Sequence, residues 1–132
     1  MNQLSQTKSS PDTKTKALDH PLVTLIGEAL LERKAEKIRV LDVRNLTTLT
    51  DYFIICQGGS DTQIKAIANN VIERVKEKSG ENVWKKEGFE NRKWVVLDYV
   101  DVVVHIFDEE TREFYGLESM WNDAGITPIE ER

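Results

Sequence analysis

The sequence has few of the residues on which disulfides and metal sites depend. It contains one cysteine, Cys56, and two histidines in 132 residues. A single cysteine cannot form an intrachain disulfide or supply a cysteine-rich metal site, which fits a reducing compartment. No apolar run approaches the ~20 residues that a transmembrane helix needs. The first sixteen residues also lack the apolar segment of a secretory signal, so we expect a cytoplasmic protein without a membrane partner.

The remaining composition is that of one ordinary domain. Hydrophobic residues make up 39% and charged residues 31% of the chain. A chain of this length buries roughly two-thirds of its unfolded surface on folding, so its core does not depend on cross-links. Residues 1–17 are rich in Ser, Thr, Gln and Lys, which predicts a disordered N-terminal tail. We predict that residues 18–124 form the domain and that residues 125–132 form a flexible C-terminal tail.

Acidic charge is concentrated near the C-terminus. The formal net charge is −5, yet residues 1–17 carry +2, and residues 101–132 carry nine acidic and two basic side chains, a balance of −7. Nucleic-acid affinity comes largely from Lys and Arg that neutralise phosphates, so this region should repel a phosphate backbone. It should attract a basic protein instead. A solvated acidic face without a partner is the alternative, and charge alone does not separate the two.

Local patterns predict a first helix, two strands and a second helix. Pro21 stands where the first turn of a helix tolerates proline, and apolar residues follow it at helical spacing. Residues 37–43 alternate as in a strand, whereas residues 52–56 are continuously apolar, as in a strand buried on both faces. Ser60 and Gln63 have the spacing of a capping box, which predicts a helix start at this point.

The second half of the domain predicts a hairpin and a short terminal helix. Residues 93–99 and 102–107 are strands separated by two or three residues, so they should pair antiparallel. Residues 81–86 are a candidate further strand, and Asp108 can cap a short helix that Gly116 interrupts. The long helix after the second strand suits a crossover connection. The predicted fold class is therefore mixed α+β, a single domain with a mixed, roughly five-stranded sheet packed by helices.

A nucleotidyl-transfer site is the first chemistry to test. Gly58, Gly59 and Ser60 lie between a strand and a helix N-terminus, which is a natural place for an anion. Transferases with such a turn also need paired carboxylates downstream to hold Mg²⁺. The corresponding stretch, residues 69–73, reads Asn-Asn-Val-Ile-Glu and has no such pair. A turn followed by a capped helix is the favoured interpretation, and a residual nucleotide-binding enzyme is the alternative.

Nucleophilic and metal chemistry have weak candidates. His20 stands at a helix start and His105 within an apolar strand, where a lone histidine is more often a hydrogen-bonded part of the sheet than a catalyst. Cys56 ends an apolar strand and is best interpreted as a small core residue. A zinc site would need further ligands that the sequence does not supply. We therefore predict no catalytic residues, no metal and no cofactor.

Aromatic residues are concentrated near the C-terminal acidic region. Six of them fall within 28 residues: Trp94, Tyr99, Phe107, Phe114, Tyr115 and Trp121. We interpret Phe107 and Phe114 as core residues. Trp94 and Trp121 are harder to place in a small core rich in Val and Ile, and Trp and Tyr beside acidic side chains are typical interface anchors. The segment from Trp94 to Asp123 is thus predicted to be a docking surface for another protein.

Several separated motifs within residues 20–123 resemble the ribosomal silencing factor family, also called Iojap. They occur in the family's order and include LDVRNLTTLTDYFIICQGGS, KWVVLDYVDVVVHIF and REFYGLESMW. The resemblance implies a nucleotidyltransferase-like fold that has lost its catalytic carboxylates. One departure is Val100, which occupies a hairpin turn where the family often has glycine. Valine resists the positive φ that glycine permits, so the turn could differ locally.

The resemblance also implies a function. Members bind the fourteenth ribosomal protein of the large subunit on the face that meets the small subunit. A bound copy blocks subunit joining sterically and represses translation, chiefly when nutrients are scarce. Members are also often dimeric in isolation, so a homodimer that buries Trp121 is a further expectation.

The predicted partner-binding residues fall into two groups. One group would supply desolvated contact area: Trp94, Tyr99, Tyr115, Leu117, Met120 and Trp121. The other would pair with Lys or Arg of the ribosomal protein: Asp98, Asp101 and Glu118. On this hypothesis, Trp94→Glu abolishes co-sedimentation with large subunits and leaves the fold intact.

Overall fold

A computed structural model describes residues 19–130. The predicted N-terminal tail, residues 1–17, lies outside this range. In chain order the elements are α1 (Pro21–Glu32), β1 (Glu36–Asp42), β2 (Tyr52–Gln57), α2 (Asp61–Ser79), β3 (Lys85–Glu87), β4 (Trp94–Asp98), β5 (Val102–Phe107), α3 (Glu109–Tyr115), α4 (Leu117–Met120) and β6 (Gly125–Ile129).

The six strands form one mixed sheet in the order β3-β4-β5-β2-β1-β6. The central strands β2 and β5 are parallel, with Tyr52 opposite Val102 and Gln57 opposite Phe107. The other four pairings are antiparallel. The crossover after β2 and the β4–β5 hairpin confirm the sequence prediction. The mixed α+β class is confirmed as well, although the sheet has six strands where about five were expected.

Helices α1 and α2 cover one face of the sheet. Alternate residues of a strand point to opposite faces, and on this side the residues of β2, β4 and β5 are all hydrophobic. Side chains of the two helices pack against these strand residues. The resulting core includes Val23, Ile26, Ile64, Ile67 and Val71 from the helices and Val40, Ile54, Leu97, Val104 and Ile106 from the strands. This helix-side core contains most of the buried apolar surface, and burying each such side chain contributes roughly 1.5–3 kcal/mol.

The opposite face of the sheet carries a smaller cluster, here called the second-face cluster. Its buried members are Leu41, Val43, Ile55 and Phe107, and its partly buried members are Phe53, Trp94, Leu117, Trp121 and Ala124. Among residues 19–130, no long helix lies on this face. The chain from α3 to β6 runs across it instead, so this is the face on which aromatic side chains reach the surface.

The C-terminal segment corrects one prediction. Residues 125–132 were expected to be a flexible tail, but Gly125–Ile129 form β6 and pair antiparallel with β1. Thr127 is 2% exposed, and Ile129 packs against the helix-side core. The pairing satisfies the free edge of β1, which is a sufficient reason for a short segment with one proline to become ordered. The domain therefore extends beyond residue 124.

Helix ends follow their sequence signals. The Ser60 hydroxyl accepts a hydrogen bond from the Gln63 N–H at 3.1 Å, as in a capping box. The return bond differs from the standard motif, because the Gln63 Oε1 accepts from the N–H of Gly59 at 2.7 Å. Gly80 ends α2 with a φ of 77°. Within residues 19–130, no helix has the length and apolar character to span a membrane.

Candidate docking surface

Trp94 lies at the centre of the second-face cluster. Its indole Nε1–H donates a hydrogen bond to Nδ1 of His105 at 3.0 Å. Its ring stacks on Phe107, with centroids 4.9 Å apart, and meets Tyr115 at 4.7 Å. The side chain is half-buried. Trp94 therefore joins the sheet to the end of α3, and only part of its surface is available to a partner.

His105 supports Trp94 from within the sheet. Burial lowers the pKa of His105 from 6.5 to about 4, so its imidazole is neutral near pH 7. Because Nδ1 accepts the indole N–H, the ring proton is on Nε2. That nitrogen is buried and has no hydrogen-bond partner among the described residues. The geometry assigns His105 a structural role as the acceptor for Trp94.

Trp121, the other tryptophan of this surface, packs against the second-face cluster above β2. Its ring meets Phe53 edge to face, with centroids 5.3 Å apart. Leu117 and Ala124 pack against the same cluster, and both are partly buried. Trp121 and Leu117 thus hold α4 against the sheet and present one side to solvent.

The most exposed apolar side chains of this region lie on α3 and α4. Phe114 is 81% exposed, Met120 71% and Tyr115 49%. We call these three residues the apolar patch. Tyr115 contacts both Phe114 and Trp94 with its ring, so it connects this part of the patch to the second-face cluster. The core interpretation of Phe107 is confirmed, because it is fully buried, but the core interpretation of Phe114 is wrong.

Two of the three predicted acidic contact residues already accept hydrogen bonds within the chain. The Asp98 Oδ1 accepts from the N–H of Val100 at 2.8 Å. Glu118 accepts two bonds from the guanidinium of Arg112, at 3.0 and 3.1 Å. Asp101 is exposed at the hairpin turn. The structure therefore gives Asp98 and Glu118 an internal role in addition to any external one.

Tyr99 does not belong to this surface. It is 5% exposed and packs in the helix-side core, with Val95 and Leu97 of the same hairpin. Burial, together with the charge of Glu81, raises the pKa of Tyr99 to about 12. Its position along the strand could have shown this, because Tyr99 has the same parity as Val95 and Leu97 and must point to the same face.

The hairpin turn keeps a conformation that suits glycine. Val100 has a φ of 76° and is the central residue of a γ-turn, which the Asp101 N–H closes by donating to the Tyr99 carbonyl at 2.9 Å. Positive φ in a β-branched residue is a genuine outlier and costs about 1–3 kcal/mol. Val100 is therefore strained, and its side chain is 53% exposed.

Three N–H groups of the turn before α2 donate hydrogen bonds within the chain. The Gly58 N–H donates to the Phe107 carbonyl at 3.0 Å. The N–H groups of Gly59 and Gln63 donate to the side chains of Gln63 and Ser60. These three N–H groups therefore have internal partners and do not point at a ligand as in phosphate-binding turns.

Thiol chemistry and metal binding are the two remaining possibilities. Cys56 is buried, and desolvation raises the pKa of its thiol to about 12, so it is inert in this fold. Within residues 19–130, no group of three or more His, Cys, Asp or Glu side chains is arranged to hold a metal ion.

Comparison with known proteins identifies the family of this chain. The family model described as "Ribosomal silencing factor during starvation" matches residues 15–132. This chain belongs to the ribosomal silencing factor family. It is 38% identical over 109 residues to the ribosomal silencing factor RsfS of Bacillus subtilis, a match that covers 83% of this chain and 92% of the relative. It is also 42% identical over 105 residues to the chloroplastic protein Iojap of Zea mays, covering 80% of this chain and 44% of that protein.

Solved structures resemble this ribosomal silencing factor in fold. A crystal structure of a Chromobacterium violaceum protein superposes with a TM-score of 0.74 at 36% identity, and covers 77% of this chain and 84% of the other. A Bacillus halodurans protein gives a TM-score of 0.70 at 33% identity, covering 85% and 99%. The fold is therefore shared with these relatives.

Proposed function

We propose that this ribosomal silencing factor is a cytoplasmic, non-catalytic repressor of translation. It binds the fourteenth protein of the large ribosomal subunit and occupies the face on which the small subunit must land. Occupancy alone blocks joining, so the mechanism needs no turnover, cofactor or metal. Scarcity of nutrients is the condition under which this repression is useful.

The observation that carries the proposal is the apolar patch of Phe114, Tyr115 and Met120. Solvent-exposed aromatic and methionine side chains on a structured element are typical of interface centres. Tyr115 is backed by Trp94, so part of the contact area is held rigid before binding, which reduces the entropy lost on docking.

Charge supports a basic protein as the partner. Glu109, Glu110 and Glu113 share α3 with the patch. Such a region accelerates the encounter with a protein rich in Lys and Arg and disfavours direct contact with ribosomal RNA. We therefore propose that the patch contacts the ribosomal protein and that these carboxylates face its basic rim.

Co-sedimentation with isolated large subunits tests the proposal. The wild-type protein should migrate with large subunits and be absent from joined ribosomes, and its prior addition should lower the yield of joined ribosomes. The double variant Phe114→Ser/Met120→Ser should bind at least about ten-fold more weakly, because loss of such anchors typically removes more than 1 kcal/mol.

Trp84→Ser is the matched control. Trp84 is 69% exposed but precedes β3, outside the apolar patch. Its replacement should leave binding unchanged. Equal migration of the wild-type protein with joined ribosomes would contradict the proposed mechanism, and equal losses in both variants would remove the patch from the interface.

Self-association is a competing use of the same surface. A homodimer that covered the patch would hide the docking residues, and it would have to dissociate before binding. Light scattering with and without purified large-subunit protein would detect this competition as loss of dimer.

A further inference from the structure

One guanidinium joins three elements of the second face. Arg112 Nε and Nη2 donate to the two carboxylate oxygens of Glu118 at 3.0 and 3.1 Å. Its Nη1 donates to the Gln57 Oε1 at 3.1 Å. Arg112 belongs to α3, Glu118 to α4 and Gln57 to the end of β2. The Arg112 side chain is only 10% exposed, so these bonds form in a partly desolvated site.

The short helices that carry the apolar patch are held by a small number of contacts, including a bond from the Asp108 N–H to the Lys93 carbonyl at the start of α3. Helix α3 has seven residues, α4 has four, and neither contains a buried residue. Isolated helices of this length are marginal in water, so their position depends on contacts made by individual side chains. Leu117 and Trp121 hold α4 and its end, and Tyr115 holds the end of α3 through Trp94. The body of α3 is fixed to the sheet through Arg112.

We propose that Arg112 is the positioning residue of the docking surface. It holds α3 and α4 in one orientation, so that Phe114 and Met120 are presented together. The proposal rests on the docking function proposed above and assigns a determinant of that function which does not itself contact the partner.

The chemistry of the site requires arginine in particular. A guanidinium presents several N–H donors in a fixed plane and can serve a carboxylate with two of them while a third reaches another acceptor. An ammonium group is a point charge and cannot repeat this geometry. Gln57 is 5% exposed, and an uncharged amide at that depth has its carbonyl oxygen satisfied by Arg112.

Two variants of Arg112 test the role. Arg112→Met removes the donors and keeps much of the aliphatic stem, and Arg112→Lys keeps the charge without the planar fork. Both should reduce hydrogen-exchange protection of the α3 amides by about ten-fold or more and leave the amides of β5 protected. Both should weaken co-sedimentation with large subunits by a similar factor, although the patch residues themselves are intact.

Arg74→Met is the matched control. Arg74 also forms two bonds to one carboxylate, Glu32, at 3.2 and 2.8 Å, but the pair joins α2 to α1 on the other face. Its loss removes a similar ion pair without touching α3, so binding should stay at the wild-type level.

A charge exchange separates positioning from general stability. In Arg112→Glu/Glu118→Arg, the pair can reform with reversed polarity, and the Gln57 amide can turn to donate its N–H to the new carboxylate. Partial recovery of α3 protection and binding, relative to Arg112→Glu alone, is the expected result. A structural defect unrelated to the pair would not recover.

The outcomes distinguish this inference from the proposed function. Unchanged α3 protection in Arg112→Met, or full binding despite lost protection, would overturn the positioning role. If the wild-type protein failed to bind large subunits, the proposed function would fall. The exchange measurements would still decide whether Arg112 holds the helices.

Discussion

Trp94 and His105 lie on adjacent antiparallel strands and are joined by a hydrogen bond of 3.0 Å from the indole Nε1–H to the imidazole Nδ1. Protonation of Nδ1 would place two donors against each other, since an imidazolium has no acceptor. Burial adds to this cost and lowers the pKa of His105 to about 4. The pair thus links the packing of the docking surface to pH.

Stability should fall as the pH decreases from about 6.5 to about 4. In this window the unfolded state takes up a proton on His105 and the folded state does not, so protons favour unfolding. The full shift is worth roughly 3 kcal/mol. Urea titrations of the wild-type protein and of His105→Gln, whose side-chain oxygen can still accept from Trp94, should diverge across this range. Carboxylates contribute equally to both proteins, so parallel curves would contradict the assignment.

Substitution of Trp94 should affect the fold as well as docking. Trp94→Phe removes the indole donor and leaves the buried His105 Nδ1 without its partner, which should cost about 1–3 kcal/mol in thermal or urea unfolding. Trp94→Glu would place a carboxylate within the second-face cluster. Trp94→Glu should therefore destabilise the fold, so lost binding in that variant would have two causes. Phe114 and Met120 are the cleaner positions.

Relief of strain at Val100 should stabilise the protein. Val100→Gly removes a left-handed β-branched residue, worth about 1–2 kcal/mol, and the flexibility of glycine in the unfolded chain offsets part of that gain. Urea denaturation should show a net increase of about 1 kcal/mol. Gly80→Val is the reverse experiment, since Gly80 has a φ of 77° and a Cβ there would meet no heavy atom within 4 Å. It should destabilise by about 1–2 kcal/mol, and a neutral result at both sites would show that φ is not the determinant.

Truncation after Ala124 should destabilise the domain and promote association. Removal of β6 frees the edge of β1 and exposes the core contact of Ile129. Exposed strand edges pair with other chains, so light scattering should detect oligomers together with a lower urea midpoint. A chain that ends at Glu130 keeps β6 and is the control. If both truncations behaved like the full chain, β6 would be dispensable.

The features predicted from the sequence are those that depend on neighbouring residues. The cap at Ser60, the hairpin and the interruption at Gly116 follow from local hydrogen bonding and φ preferences. The crossover follows from the length of α2. The sequence also predicted that β2 is buried on both faces, because YFIIC is continuously apolar and does not alternate with polar residues.

The features that were missed depend on pairing across the chain. β6 has only five residues and contains Pro128, and its partner β1 lies more than eighty residues earlier, so no local pattern marks it as a strand. Phe114 has the helical spacing of a core residue, but α3 is too short to cover it. The bonds of Arg112 to Gln57 and Glu118 join three elements, and their geometry cannot be predicted until those elements are placed.

The side chain of Gln63 has a consequence for which substitutions this position tolerates. Its oxygen accepts from Gly59, and its Nε2 donates to the carbonyls of Arg33 and Lys34, both at 3.2 Å. A capping box accepts glutamate or glutamine, yet a carboxylate here would face two carbonyl oxygens with no hydrogen to offer. Only an amide can cap the start of α2 and bond the end of α1 at the same time, so this one connection between the two long helices depends on a distinction of one atom.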